Sequence, residues 1–183
     1  MKILVFFISF FLITINSTIA QEKKKLSRKE KKELKKQQQI EQKKAILDLL
    51  HSETWVIEAH TVFDRYNQSY QLNPTINFVG IDGKEGALQL GFDGLIGWNG
   101  VGGVTLDGKV TKYEVKEGKS NSSPTVSLRF QGRVVGSAFI NVTVNSSGQA
   151  TARVSGDFGD RITFTGMIKS LEESSVYKGQ SLF

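Results

Sequence analysis

The 183-residue chain contains no cysteine. That excludes disulfides, thiolate metal sites, a cysteine nucleophile and a lipid-modified N-terminal cysteine. Histidine is nearly absent too, with only His51 and His60. A zinc site needs three or four converging N, S or O ligands, so no metal and no metal chemistry are expected. Proline occurs twice, and Pro124 sits where a strand is expected to begin, a position that tolerates it. Beyond the first 15 residues no long apolar run is present. A fold with these shortages has to be held by its hydrophobic core. The 139 residues that follow Lys44 suffice for one domain burying roughly two-thirds of its unfolded surface.

Positive charge is also missing from most of the chain. Residues 22–44 hold 11 Lys/Arg against 4 Asp/Glu, whereas residues 45–183 hold 12 against 14. The isoelectric point near 9.5 therefore reflects one Lys-rich arm over residues 21–44 and not a basic domain. Nucleic-acid binding is not expected from such a split.

The N-terminus reads as an export signal. Lys2 forms a short basic region, Ile3 to Ile15 is almost wholly apolar, and small residues precede a cut site after Ala20. Residues 1–20 are thus expected to be a signal peptide, with the mature protein in the periplasm or at the cell surface. An uncleaved anchor is the alternative, because Lys23, Lys24 and Lys25 follow the cut site and resist translocation. In the arm, Ser27-Arg28-Lys29-Glu30 fits a helix-starting capping box. Leu26, Leu34 and Ile40 form no stripe, so that helix has nothing to bury. Ala45, Ile46, Leu47, Leu49 and Leu50 are dense enough to dock on the domain.

From Trp55 the apolar period changes to two. Val126, Leu128 and Phe130 alternate with polar residues; so do Ala138, Ile140, Val142 and Val144, then Ala150, Ala152 and Val154, and Thr111, Tyr113 and Val115. Half-buried antiparallel strands give this pattern. Asp82-Gly83, Asp107-Gly108 and Asn145-Ser146-Ser147-Gly148 predict hairpins between strands. The expected fold is mainly β: an antiparallel meander of eight or nine strands forming a sandwich or partly open barrel over residues 45–183, preceded by the Lys-rich helix or arm.

No catalytic constellation emerges. No G-x-S-x-G elbow is present. Gly118-Lys119-Ser120 lacks the first glycine and following helix of a phosphate loop, and reads as a hairpin tip over Glu117–Ser123. His60 and Asp64 are a pair without further ligands. Asp82, Asp93, Asp157 and Asp160 fall in turns, where aspartate bonds its own backbone. The most unusual stretch is Gly91–Gly103, with six glycines. It reads first as a bulged strand or loop, and second as a loop offering Trp98 and Asn99 to a ligand. Gln89, Trp98 and Asn99 are the ligand-binding candidates; no cofactor is expected.

Several segments together resemble a known family. They are Trp55-Val56-Ile57-Glu58-Ala59, Asn77-Phe78-Val79, Gln89, Asn99-Gly100-Val101-Gly102-Gly103-Val104-Thr105, Gly108 with Lys112-Tyr113, Gly148-Gln149-Ala150-Thr151-Ala152, Arg161-Ile162-Thr163-Phe164-Thr165-Gly166 and Val176-Tyr177-Lys178-Gly179. In this order they resemble an exported family of Bacteroides-type bacteria known as domain of unknown function number 4251. The likeness spans most of residues 45–180 and extends to the signal and Lys-rich lead. Gln149 stands where Lys or Arg would be expected, at an exposed turn. The resemblance implies an envelope or periplasmic β-domain and carries over no activity or catalytic residue.

The expected function is a non-catalytic binding or structural module of the cell envelope. Its partners would be an envelope protein, a glycan or a small ligand, with the arm touching anionic surfaces by charge. The alternative is an envelope hydrolase with its site near the Trp98 loop.

Overall fold

The computed structural model describes residues 27–91, 103–119, 122–132, 136–156 and 161–178. The chain divides into two units, residues 1–36 and 37–183, described separately. In the first unit the capping box forms as expected. Ser27 N–H donates to Glu30 Oε2 at 2.7 Å, and Glu30 N–H donates to Ser27 Oγ at 3.2 Å. The helix it starts, α1, runs Arg28–His51, and every residue from Ser27 to Gln42 is exposed.

In the second unit nine strands follow among the described residues: β1 Thr54–Phe63, β2 Ser69–Gln71, β3 Phe78–Asp82, β4 Glu85–Leu90, β5 Val104–Lys116, β6 Thr125–Gly132, β7 Ser137–Val144, β8 Gln149–Gly156 and β9 Arg161–Ser170. Each pairs antiparallel with the next around the sheet, and β1 also pairs with β9. The expected meander is therefore a closed barrel of eight strands, β1 and β3–β9. The short β2 continues the edge of β1 beyond the point where β3 ends, pairing at Thr61, Val62 and Phe63. All three of its residues are exposed, so no alternation announces it in the sequence.

The alternating apolar residues point inward and fill the barrel. Trp55, Ile57, Val79, Ile81, Val126, Leu128, Ile140, Val142, Ala150, Ala152 and Phe164 are at most 1% exposed. Each large side chain among them contributes roughly 1.5–3 kcal/mol by leaving water. The last turn of α1 closes one end, with Leu50 fully buried and Ile46 and Leu49 packed on the core. A hydrogen-bond relay fixes this end. Tyr113 O–H donates to the Leu50 carbonyl at 2.6 Å, and the same oxygen accepts from Trp55 Nε1–H at 2.8 Å. A helix C-terminus leaves its last carbonyls without helical partners, and Tyr113 supplies one.

The Asn145–Gly148 and Asp82-Gly83 hairpins form where expected, with positive φ at Gly148 and Gly83. Asp107-Gly108 is different. It predicts a turn, yet both residues lie inside the continuous 13-residue β5. Gly108 faces inward and opposes Gly132, and a Cβ there would stand 2.2 Å from the Gln131 carbonyl oxygen and 2.7 Å from the Phe130 ring. Glycine at 108 serves close packing over Phe130 and not a turn. The irregularity of β5 falls later, at a bulge between Val110 and Lys112, one of the bends that closing a small barrel requires.

Gly108→Ala should cost more than about 2 kcal/mol in a urea melt, whereas Gly156→Ala, with open space around its Cβ, should stay within about 0.5 kcal/mol. Tyr113→Phe strands the Trp55 N–H and should cost about 1–3 kcal/mol. Burial pushes the Tyr113 hydroxyl up to about 12, against the lowering effect of its bond from Trp55. Its contribution is complete below the ordinary tyrosine value and is lost as pH rises from about 10 towards the folded value. Wild type should therefore lose stability over that window more steeply than the Phe variant.

Candidate functional site

Barrel closure leaves chemistry to the outer surface. On β1, β3, β4 and the first half of β5, two rungs of outward residues run side by side. One is Val56, Gly80, Ala87 and Asp107; the next is Glu58, Phe78, Gln89 and Thr105. Unlike ordinary solvent-facing rungs, both are largely buried, and β1 shows almost no alternation of exposure. The cover is the segment after β9, residues 171–178.

Four anchors hold this strap. Glu58 accepts from Ser174 Oγ at 2.9 Å and Ser175 N–H at 3.2 Å, and pairs with Lys169 Nζ at 2.7 Å. Tyr177 N–H donates to the Thr75 carbonyl at 2.7 Å. Gln89 Nε2 donates to the Tyr177 carbonyl at 2.8 Å. Lys178 Nζ meets Asp107 Oδ1 at 2.6 Å. Charge-assisted contacts of this kind are the strongest available to a segment without ladder bonds.

Between strap and sheet lies a cavity of about 450 Å³, within the range of small-molecule sites. Val56, Phe78, Ala87, Leu171 and Val176 give it apolar walls, and Gly80 opens its floor. Asp82, Glu85 and the Asp107–Lys178 pair give it a charged margin. A smaller, more polar hollow of about 290 Å³ lies between α1 at Lys43 and Ile46 and the turns at Ser122–Pro124 and Asn145-Ser146.

Of the ligand-binding candidates, Gln89 is fully buried beside this cavity. Its amide nitrogen donates to Ile76 and Tyr177 carbonyls, and its Oε1 accepts from Thr105 Oγ1 at 2.7 Å. Its role in the fold is to tie the strap to the sheet. Trp98 and Asn99 lie outside the described residues, as do Asp93, Asp157 and Asp160. His60 Nδ1 contacts Thr61 Oγ1, while Asp64 accepts from the Tyr66 and Gln68 amides and closes its own turn. Among the described residues no cluster of three metal-ligating side chains occurs.

The sequence reading gave Glu58, Gly80, Asp107 and Lys178 no place in a site, and took Asp107 for a turn residue. A signal existed for the first. Glu58 interrupts the apolar run Trp55–Ala59, where residues of both faces are apolar, a pattern that requires cover on both sides. The strap itself has no periodicity to read.

Burial pushes the Glu58 carboxyl up, but its bonds from Lys169, Ser175 and Ser174 and the lysine's charge outweigh this and hold it below the ordinary value. A lowered carboxylate stabilises the fold above the unfolded value, and the effect is lost as pH falls through the folded one. Amide exchange protection of Ser175 and Tyr177 should therefore collapse once pH falls below the ordinary glutamate range. Glu58→Gln should lose it already at neutral pH, at a cost of about 1–3 kcal/mol.

The sequence pattern of the family described as Domain of unknown function (DUF4251) matches residues 35–168. Comparison with curated proteins gives no match. Among solved structures, a DUF4251 family protein from Bacteroides eggerthii DSM 20697 superposes with a TM-score of 0.56 at 28% identity, covering 73% of this chain and 90% of that one. The barrel described above, with its strapped outer face, therefore belongs to a member of the DUF4251 family.

Proposed function

We propose that this protein is a non-catalytic binding module of the bacterial cell envelope, exported by residues 1–20 and recognising a small ligand in the strapped groove. The observation that carries the reading is the groove itself: apolar walls, a glycine floor and an acidic margin outside a barrel whose interior is packed. Its chemistry fits a ligand with an apolar body and a cationic or hydrogen-bond-donating end, placed against Asp82 and Glu85. The Lys-rich lead extends between the signal and the domain as a hydrated spacer.

An envelope hydrolase is the second reading, and the observation favouring it is that two carboxylates, Asp82 and Glu85, line one cavity. Acid–base hydrolysis of a glycan needs two carboxyl groups flanking the scissile bond. Turnover of an envelope glycan that Asp82→Asn abolishes would decide for the enzyme.

Gly80 gives the direct test of the groove. A Cβ there meets Phe78 at 3.5 Å and Val56 at 3.6 Å, ordinary contacts, and its φ is not positive. Gly80→Ala should therefore be tolerated, raising stability by about 0.4–1 kcal/mol through the unfolded chain. Gly80→Leu should fill the groove. Fragment screening by protein-observed NMR should find cationic amphiphiles shifting Ala87 and Val176 in wild type and not in Gly80→Leu. Equal shifts in both proteins would place binding elsewhere.

A further inference from the structure

Around the barrel from the groove, the outward residues of β5–β9 form three rungs fixed by strand register. The first is Lys112, Arg129, Phe139, Ser155 and Arg161. The second is Glu114, Ser127, Asn141, Arg153 and Thr163. The third runs from Lys116 through Thr125, Thr143, Thr151 and Thr165 to Thr61 of β1. Among the described residues of these rungs, five cations thus stand with one carboxylate, Glu114, which itself lies 3.8 Å from both Lys112 and Lys116.

The chemistry of the face is specific in three respects. Arg129, Arg153 and Arg161 are exposed and have no ion-pair partner among the described residues. Guanidinium groups bind carboxylates and sulfates in a bidentate fork. The hydroxyls of four partly exposed threonines, Thr125, Thr143, Thr151 and Thr165, stand in line, spaced by roughly 4.8 Å per strand, while Thr61 at the end of the rung is buried against His60 and Gln71. Each hydroxyl both donates and accepts, as a sugar hydroxyl requires. Phe139, the aromatic residue of these rungs, is 48% exposed on a rung of cations instead of in the core. An aromatic ring held there offers its face to the C–H surface of a pyranose.

We infer that the outer face of β5–β9 is a binding surface for an anionic polysaccharide. Arg129, Arg153 and Arg161 hold the acidic groups, the threonine rung meets hydroxyls, and Phe139 stacks on a ring. A lipid surface fits less well, because interfacial binding draws on a continuous apolar face and these rungs hold a single large apolar side chain. Single-stranded nucleic acid fits less well, because it uses a series of stacking aromatics. The surface is separate from the groove and does not rest on the groove's having a ligand.

Affinity electrophoresis of the full chain through gels containing polygalacturonate, with neutral dextran as reference, tests the inference. Retardation is expected in polygalacturonate alone, declining as salt rises. Arg129→Glu/Arg153→Glu should weaken apparent affinity about tenfold or more, Arg129→Gln/Arg153→Gln to a smaller extent, and Phe139→Ala about threefold. All three positions are exposed, and an unchanged near-ultraviolet circular dichroism spectrum checks the fold of each variant. The Lys-rich arm stays intact in these proteins. Retardation of wild type that the arginine variants leave unchanged would assign binding to the arm and overturn the inference. So would no retardation, or tighter arginine-dependent binding to phosphatidylglycerol vesicles or a single-stranded DNA oligonucleotide than to the polyuronate.

Discussion

β1 hydrogen-bonds β3 along one edge and β9 along the other, and this double pairing closes the sheet on itself. Closure removes the free edges that an eight-stranded meander would otherwise present. It also turns one face of every strand into a shared interior, and side chains fill that interior because a barrel of this size is only wide enough for them. The Trp55–Tyr113–Leu50 relay then seals one end with the last turn of α1. Recognition is left to the outside of the barrel.

The outside is not uniform. One side carries Glu58, Asp82, Glu85 and Asp107, two of them neutralised by Lys169 and Lys178. Among the described residues, the rungs on the other side carry arginines and hydroxyls with a single carboxylate, Glu114. Residues 45–183 carry slightly more acidic than basic groups, yet the fold sorts them into faces of opposite character. Net charge describes solubility and long-range attraction, whereas a binding face depends on where strand register places each charge. The Lys-rich arm accounts for the excess of positive charge in the sum, while strand register gathers the domain's arginines on one face.

The strap shows the same division. Residues 171–178 have no ladder bonds, so sheet pairing does not hold them; the Lys178–Asp107 ion pair, the Glu58 carboxylate and a buried glutamine do. Gln89 was legible as unusual because it is polar within an apolar strand. The reason became visible only with Tyr177 beside it, 88 residues later. The Asp107-Gly108 dipeptide misled for a related reason. Turn chemistry is local, but whether glycine serves a turn or a neighbour's bulk depends on Phe130, which arrives from the next strand.

The sequence by itself determined the element type, the inward face of nearly every strand, the capping box at Ser27 and two hairpins. These follow from period, propensity and turn residues within a few positions of one another. The family likeness came from the same short segments read in order. Only the tertiary structure decided that the sheet closes, that the last described residues cover β1, β3 and β4, and that arginines from three strands share one face. Those outcomes depend on register between strands, which the alternation of a single strand leaves open.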